Sequence, residues 1–302
     1  MVNVLTSLSV IVAIPGPVKW AYLAFWIIFA IGLVAIALRG GWQRSRGLDK
    51  LILFGPIFYA APLAAFGTEH FTQTQIIASI VPSWMPWHLF WAYFVGACFI
   101  AAPLSIVTKI QARLSASLVA LTFFLFVMMM DVPALVQVPR NRILWVLSFR
   151  ELSFSSGALA LAAGLGEPAQ ERHWRTFATI ARYVIAIAIL FYSFEQFLHS
   201  NYVPAIPLER VTPTWVWGHD IWTYLAAVVY LVAGIPLLLG KKTRPAAACI
   251  GLTIFFLELV VYVPIAVVER ASLVGFNFMA DTLMFCGAVL LLAGAMPCHC
   301  GR

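Results

Sequence analysis

Ten ionisable side chains stand in a chain that otherwise has little use for charge, and they fall into two matched groups. Glu69, His70, His88, Asp131 and Glu151 belong to the first half; Glu195, His199, His219, Glu258 and Asp281 belong to the second. A carboxyl beside an apolar pocket can exchange a proton with a bound ligand, and an imidazole can donate or accept a hydrogen bond near neutral pH. Glu151 and Asp281 are the acids expected to accept or relay protons. His88 and His219 are the expected hydrogen-bond partners of a ligand, with the indoles of Trp84 and Trp215 as aromatic walls. Metal chemistry is not expected, because the histidines form no H-x-x-x-H or H-E-x-x-H pattern and Cys298-His299-Cys300 is a lone CxC at a chain end. The chain has no GxGxxG, Walker, CxxC or CxxCH motif, so nucleotide, thioredoxin-type and covalent haem roles find no support.

The groups match because the chain repeats itself. The segment VPSWMPWHLFWAYF (81–94) returns as TPTWVWGHDIWTYL (212–225), an offset of 131. Pro82/Pro213, Trp84/Trp215, His88/His219, Trp91/Trp222, Arg113/Arg244 and Pro133/Pro264 coincide at that offset. Thirteen of the 52 positions from Pro82 to Pro133 are identical without a gap. An apolar composition supplies chance matches of Ala or Leu, but not a run of Pro, Trp, His and Arg. The last helices align at an offset of 130, pairing Glu151 with Asp281 and Gly157 with Gly287; GTEHF (67–71) aligns with SFEQF (193–197), pairing Glu69 with Glu195.

What must position these groups is a membrane-embedded helical scaffold. Hydrophobic residues make up 63% of the chain, charged residues 10%, and mean hydropathy is +0.94, which excludes an ordinary soluble domain. Apolar runs of about 18 residues recur, each long enough for a hydrocarbon layer about 30 Å thick. Backbone polar groups in lipid must be satisfied within the segment, so the spans are helices. Cys98, Cys249 and Cys286 lie in apolar runs and read as inert. Residues 1–17 lack the basic start of a cleavable signal and read as an apolar lead-in.

The sequence predicts an all-α polytopic protein with about nine spans. A leading helix covers 20–38. A first four-helix unit follows at 51–67, 89–107, 114–136 and 143–165, and a second at 177–197, 221–239, 246–268 and 274–296. The corresponding division is 1–50, 51–166 and 167–302. Of 19 Lys and Arg, thirteen fall in one set of loops and ends and six in the other. That bias places the C-terminus in the cytoplasm and the N-terminus outside a bacterial-type inner membrane. Each unit has an even number of helices, so the copies are expected to run parallel about an axis along the membrane normal.

On this topology both groups of acids and histidines lie toward the outer surface. Glu151 and Asp281 sit about 10 Å inside their helices at 1.5 Å per residue. An acid at bilayer depth costs about 2.5–3.5 kcal/mol on insertion scales and normally faces protein. Simpler readings compete: Glu69 and Glu195 as solvated helix ends, the Pro/Trp hairpins as interfacial belts, Arg150 as an ion-pair partner of Glu151, and the helix glycines as packing points.

Each unit resembles the DoxX-like family of small four-helix membrane proteins. The resemblance rests on EHF, VPSWMPWH, KIQAR and RELSFSSGALALAAG in the first unit, and on EQFLHSNYVPAIP, TPTWVWGH, KKTR and ADTLMFCGAVLLLAG in the second. It covers roughly 51–165 and 177–296. It implies kinship with subunits of thiosulfate:quinone and quinol oxidoreductases and with redox-associated membrane partners. The family has one bundle where this chain has two, and Glu195-Gln196-Phe197 lacks the histidine of Glu69-His70-Phe71.

The expectation is therefore an accessory subunit of a quinone-linked redox system. Its outer-facing polar pocket would take a quinone, with a soluble or membrane oxidoreductase as partner, the bilayer as surroundings and no nucleic acid. Two other readings are a small-molecule permease, for which Glu258 is the deep candidate, and a scaffold that holds a soluble partner through basic cytoplasmic loops such as Lys241-Lys242.

Overall fold

A computed structural model describes residues 15–165 and 172–297, without the side chains of Arg172 and His219. The 1–17 lead-in up to Ile14, the loop residues 166–171, the Cys298-His299-Cys300 tail and the imidazole of His219 thus lie outside the described residues. The protein is all-α; among the described residues the only strand-like pairing is an isolated antiparallel bridge between Tyr202 and Val211.

The leading helix α1 covers Gly16–Leu38, with Pro17 in its first turn, where no backbone N–H is needed. The first set comprises α2 (Gly55–Thr72), a short α3 (Thr74–Ile80), α4 (His88–Thr108), α5 (Ala112–Phe126), α6 (Val132–Gln137) and α7 (Arg142–Gly164). The second comprises α8 (Arg172–Leu198), α9 (His219–Leu238), α10 (Thr243–Leu257), α11 (Val263–Val268) and α12 (Leu273–Ala295). Five-residue π-helical turns, Val127–Asp131 and Glu258–Tyr262, join α5 to α6 and α10 to α11. The result is two tandem four-helix bundles plus one N-terminal helix. Among the described residues, eight of the nine long rods are apolar enough to cross a membrane by composition. The ninth, α7, carries Arg142, Arg150, Glu151 and four serines (Ser148, Ser153, Ser155, Ser156) and falls short on that measure.

Local geometry recurs at the offset seen in the sequence. The π-helical turns begin 131 residues apart, and each ends two residues before a proline, Pro133 or Pro264. A proline ring collides with the carbonyl four residues back, and the extra residue of a π turn moves that carbonyl aside. Left-handed backbone occurs at Trp87 and Gly218 before α4 and α9, and at Lys109/Gln111 and Gly240/Lys242 between the next helices. The indole N–H of Trp91 donates to Pro86 O at 3.0 Å, and that of Trp222 to Trp217 O at 2.8 Å. Asn141 caps α7 and Ser272 caps α12.

The two sets interlock through their last helices. α7 and α12 pack against each other, α12 also packs on α2 of the first set, and α7 on α8 of the second. Small residues allow the approach: a Cβ on Gly157 would run into Ala288, and one on Gly287 would lie 2.5 Å from the backbone nitrogen of Tyr59. Two fully buried tyrosines, one from each set, donate to α7 carbonyls: Tyr59 to Phe154 O at 2.8 Å and Tyr192 to Val146 O at 2.9 Å. α1 lies outside on α2 and α4. At the end rich in cations, arginines finish helices. Arg39 donates to Thr108 O at 2.6 Å, Arg182 to Leu238 O at 2.8 Å, and Arg244 to Ala293 O at 3.3 Å. They satisfy terminal carbonyls that α4, α9 and α12 cannot satisfy themselves.

The boundaries differ from expectation in one way that matters. The first helix of set one continues past Gly67 to Thr72 and is followed at once by α3. Glu69 and His70 are therefore inside a helix and flanked by protein, not at a solvated end.

Candidate functional site

In the first half of α7, ionisable residues from several elements gather around one cation. Arg150 on α7 donates through Nη1 to Asp281 Oδ2 of α12 at 2.7 Å, and its Nη2 is 3.6 Å from Glu151 Oε1. Asp131, at the end of the first π-helical turn, lies within electrostatic reach of both Arg150 and Glu151 and faces Ser148. Glu69 on α2 accepts from Asn277 Nδ2 of α12 at 3.1 Å and lies within electrostatic reach of Asp281. Three carboxyls, from the π turn, α7 and α12, thus surround a single guanidinium, and Glu69 of α2 joins them through Asp281 and Asn277. One oxygen of Glu69 and one of Asp131 have no hydrogen-bond partner among the described residues. The carboxyls do not converge as a ligand shell: no group of three or more metal-ligating side chains occurs among the described residues.

An apolar cavity of 540 Å³ opens beside this cluster in the first set. α4, α5 and the π-helical turn form its sides through Trp91, Phe94, Phe126 and Met130, and α3 with the Pro82–Met85 turn covers it. Three polar side chains reach its wall: His70 from α2, Glu151 from α7, and Thr122 from α5, whose hydroxyl is already donated to Leu118 O. The volume lies within the range of small-molecule sites, which are mostly apolar with a few placed polar groups. His70 Nδ1 is 2.8 Å from Phe66 O. A carbonyl only accepts, so Nδ1 carries the proton and, in the neutral ring, Nε2 is left as an acceptor. The ring is held edge-on against Phe99, with centroids 5.5 Å apart.

The second set uses the same positions differently. Gln196 stands where His70 stands, 126 residues on, and donates through Nε2 to Tyr192 O at 3.2 Å, the counterpart of Phe66 O. Its Oε1 accepts from the backbone N–H of Ala205 at 3.2 Å. That bond fixes a non-helical segment, Asn201–Val216, which buries Val203, Ala205, Ile206 and Val216 in the core. Tyr262, the counterpart of Asp131, donates its hydroxyl to Pro204 O. Arg142 ties Glu195 (2.8 Å) and Pro207 O (2.7 Å) to the same segment, and Arg210 pairs with Glu269 at its other side. In the second set, then, a loop of its own chain packs where the first set keeps a cavity cover.

The expected site residues separate accordingly. Glu69, Asp131, Glu151 and Asp281 come together, the last joining the first-set cluster through Arg150, and His70 shares a cavity with Glu151. Glu195 is committed to Arg142. His88 is half-buried at the start of α4 and does not line the cavity, so the imidazole beside Glu151 is that of His70. His199 lies against Tyr202, with centroids 6.0 Å apart. Trp84 is 69% exposed and Trp215 50% exposed, and neither walls the cavity; Trp91 does. Glu258 is fully buried in a different place, near Tyr262 and Cys286 and lining a separate cavity. Sequence reasoning missed Asn277 and Tyr192. Asn277 was within reach, since it lies one helical turn before Asp281 on the same face.

Comparison of the chain with protein-family models, curated proteins and solved structures returned no match.

Proposed function

We propose that this protein is a membrane-embedded subunit that binds a quinone-class ligand in the outer cavity of its first bundle, as part of a quinone-linked redox system. The observation that carries this reading is the pairing of His70 and Glu151 on the wall of a 540 Å³ apolar cavity. An amphipathic ring compound needs apolar walls for its body and a few hydrogen-bonding groups for its polar edge. His70 Nε2 accepts a hydroxyl proton, and Glu151 is a second acceptor beside it. Two proton acceptors match the two protons that a quinol gives up when its two electrons pass to a partner oxidoreductase. Asp281, saturated by Arg150, acts as an anchor for that guanidinium, which leaves proton acceptance to Glu151.

The resemblance to DoxX-like proteins supports the same class of ligand. The excess of cations at the opposite end supports a cavity that faces away from the cytoplasm of a bacterial-type inner membrane. The permease reading is weaker, because the seam between the bundles is closed by Gly157 on Ala288 and Gly287 on Tyr59.

Purified protein in mild detergent, titrated with a short-chain benzoquinol and followed by tryptophan fluorescence, tests the reading. Saturable binding is expected for the wild type, weakened more than tenfold in Glu151→Gln. Absence of saturable binding, or equal affinity in the variant, overturns it.

A further inference from the structure

Glu258 poses a separate problem. It lies in the second π-helical turn, is 2% exposed, and neither of its carboxyl oxygens has a hydrogen-bond partner among the described residues. Its counterpart in the first repeat is Val127, which is buried without difficulty. The repeat therefore does not require an acid here. A buried acid with no partner is among the least favourable groups a membrane helix can carry, and such residues mark functional positions.

Glu258 is a lining residue of a cavity of 640 Å³ between α1, α2, α12 and the α10–α11 rod, with its carboxyl oxygens buried just behind the wall. Aromatic rings dominate its wall: Tyr22, Phe25, Trp26 and Phe29 on α1, Phe58 on α2 and Phe255 on α10. Phe58 and Phe255 stack at 5.1 Å, one turn from Glu258. On the lip, Trp26 and Leu259 are more than half exposed, so the opening lies on the lipid-facing side of the bundle. Among the described residues, Lys50, beside Trp42 near the start of α2, is the one cation lining the cavity, and no cationic group is within electrostatic reach of Glu258.

We propose that this cavity binds a lipophilic organic cation that enters from the bilayer and sets its positive centre against Glu258. Three features select that class. The lone carboxyl lacks a counter-charge, which an ammonium or phosphonium supplies. The surrounding ring faces attract the same charge by cation–π interaction, more strongly where water is excluded. The lipid-side opening admits molecules with an apolar body. The site is separate from the cavity at His70 and Glu151, with which it shares no lining residue.

The experiment is equilibrium binding of radiolabelled tetraphenylphosphonium to the full chain in mild detergent, with decylamine and decanol as competitors. Saturable binding is expected, displaced by decylamine and not by decanol, and weakened at least tenfold in Glu258→Gln and in Glu258→Val, which installs the residue of the first repeat. Equal binding by the variants, equal displacement by decanol, or no saturable binding overturns the proposal. If both variants fold poorly, the comparison of amine with alcohol on the wild-type protein decides alone.

Discussion

Arg150 of the first bundle donates to Asp281 of the second at 2.7 Å, across the seam where α7 and α12 meet. Each residue comes from the last helix of its own set, so this pair joins the two repeats in the first half of both helices. It also orders the candidate site, because the same guanidinium lies 3.6 Å from Glu151.

Removing the cation should therefore be costly. With Arg150→Gln, Glu151, Asp281 and Asp131 face one another with no counter-charge. Breaking a buried pair on one side costs about 3–5 kcal/mol. The midpoint of thermal unfolding in detergent should fall markedly, and Arg150→Gln/Asp281→Asn should recover part of the loss, since the two sites are coupled. An unchanged midpoint in the single variant would show that the pair contributes nothing.

The seam itself makes a second prediction. Gly157→Ala and Gly287→Ala each put a methyl where the neighbouring helix already stands, and in both cases backbone atoms are in the way. Overpacking of this kind costs about 1–3 kcal/mol. Gly164→Ala, whose new carbon would be 3.5 Å from Ala295, is the matched control and should unfold like the wild type. Equal stability of all three variants would mean that the helices are not in close contact along this line.

His70→Gln separates folding from binding. The second repeat shows that a glutamine at this place can donate to the carbonyl four residues back. Stability should stay within about 1 kcal/mol of wild type, the size of one ordinary hydrogen bond. Benzoquinol affinity should fall, because an amide replaces the imidazole acceptor that faces the cavity. A large loss of stability with affinity retained would contradict this division.

Gln196→Leu should loosen the second repeat's inserted segment. It leaves the buried N–H of Ala205 without a partner, a penalty of about 1–3 kcal/mol. Limited trypsin digestion should then cut faster after Arg210 within that segment, while cleavage elsewhere is unchanged. Identical digestion of variant and wild type would show that the amide does not hold the segment.

Much of the scaffold was legible in the chain because membrane helices obey a local rule: each span must be apolar and satisfy its own backbone, so length and hydropathy identify it. The duplicated Pro, Trp and Arg positions even foretold matched turns, since proline ring geometry and left-handed backbone are local properties. The carboxyls at Glu151 and Asp281 were also visible, being costly residues at matched depth. Their partners were not. That Asp281 belongs to Arg150 and Glu69 to Asn277, that His70 and not His88 meets the cavity, and that Glu258 has no charged partner were decided by how the helices pack. Spacing along one helix gives the face of a residue, but which neighbour that face meets depends on contacts between segments more than a hundred residues apart. The two repeats share their turns but diverge at His70 and Gln196, where one side chain leaves room for a ligand and the other holds its own loop.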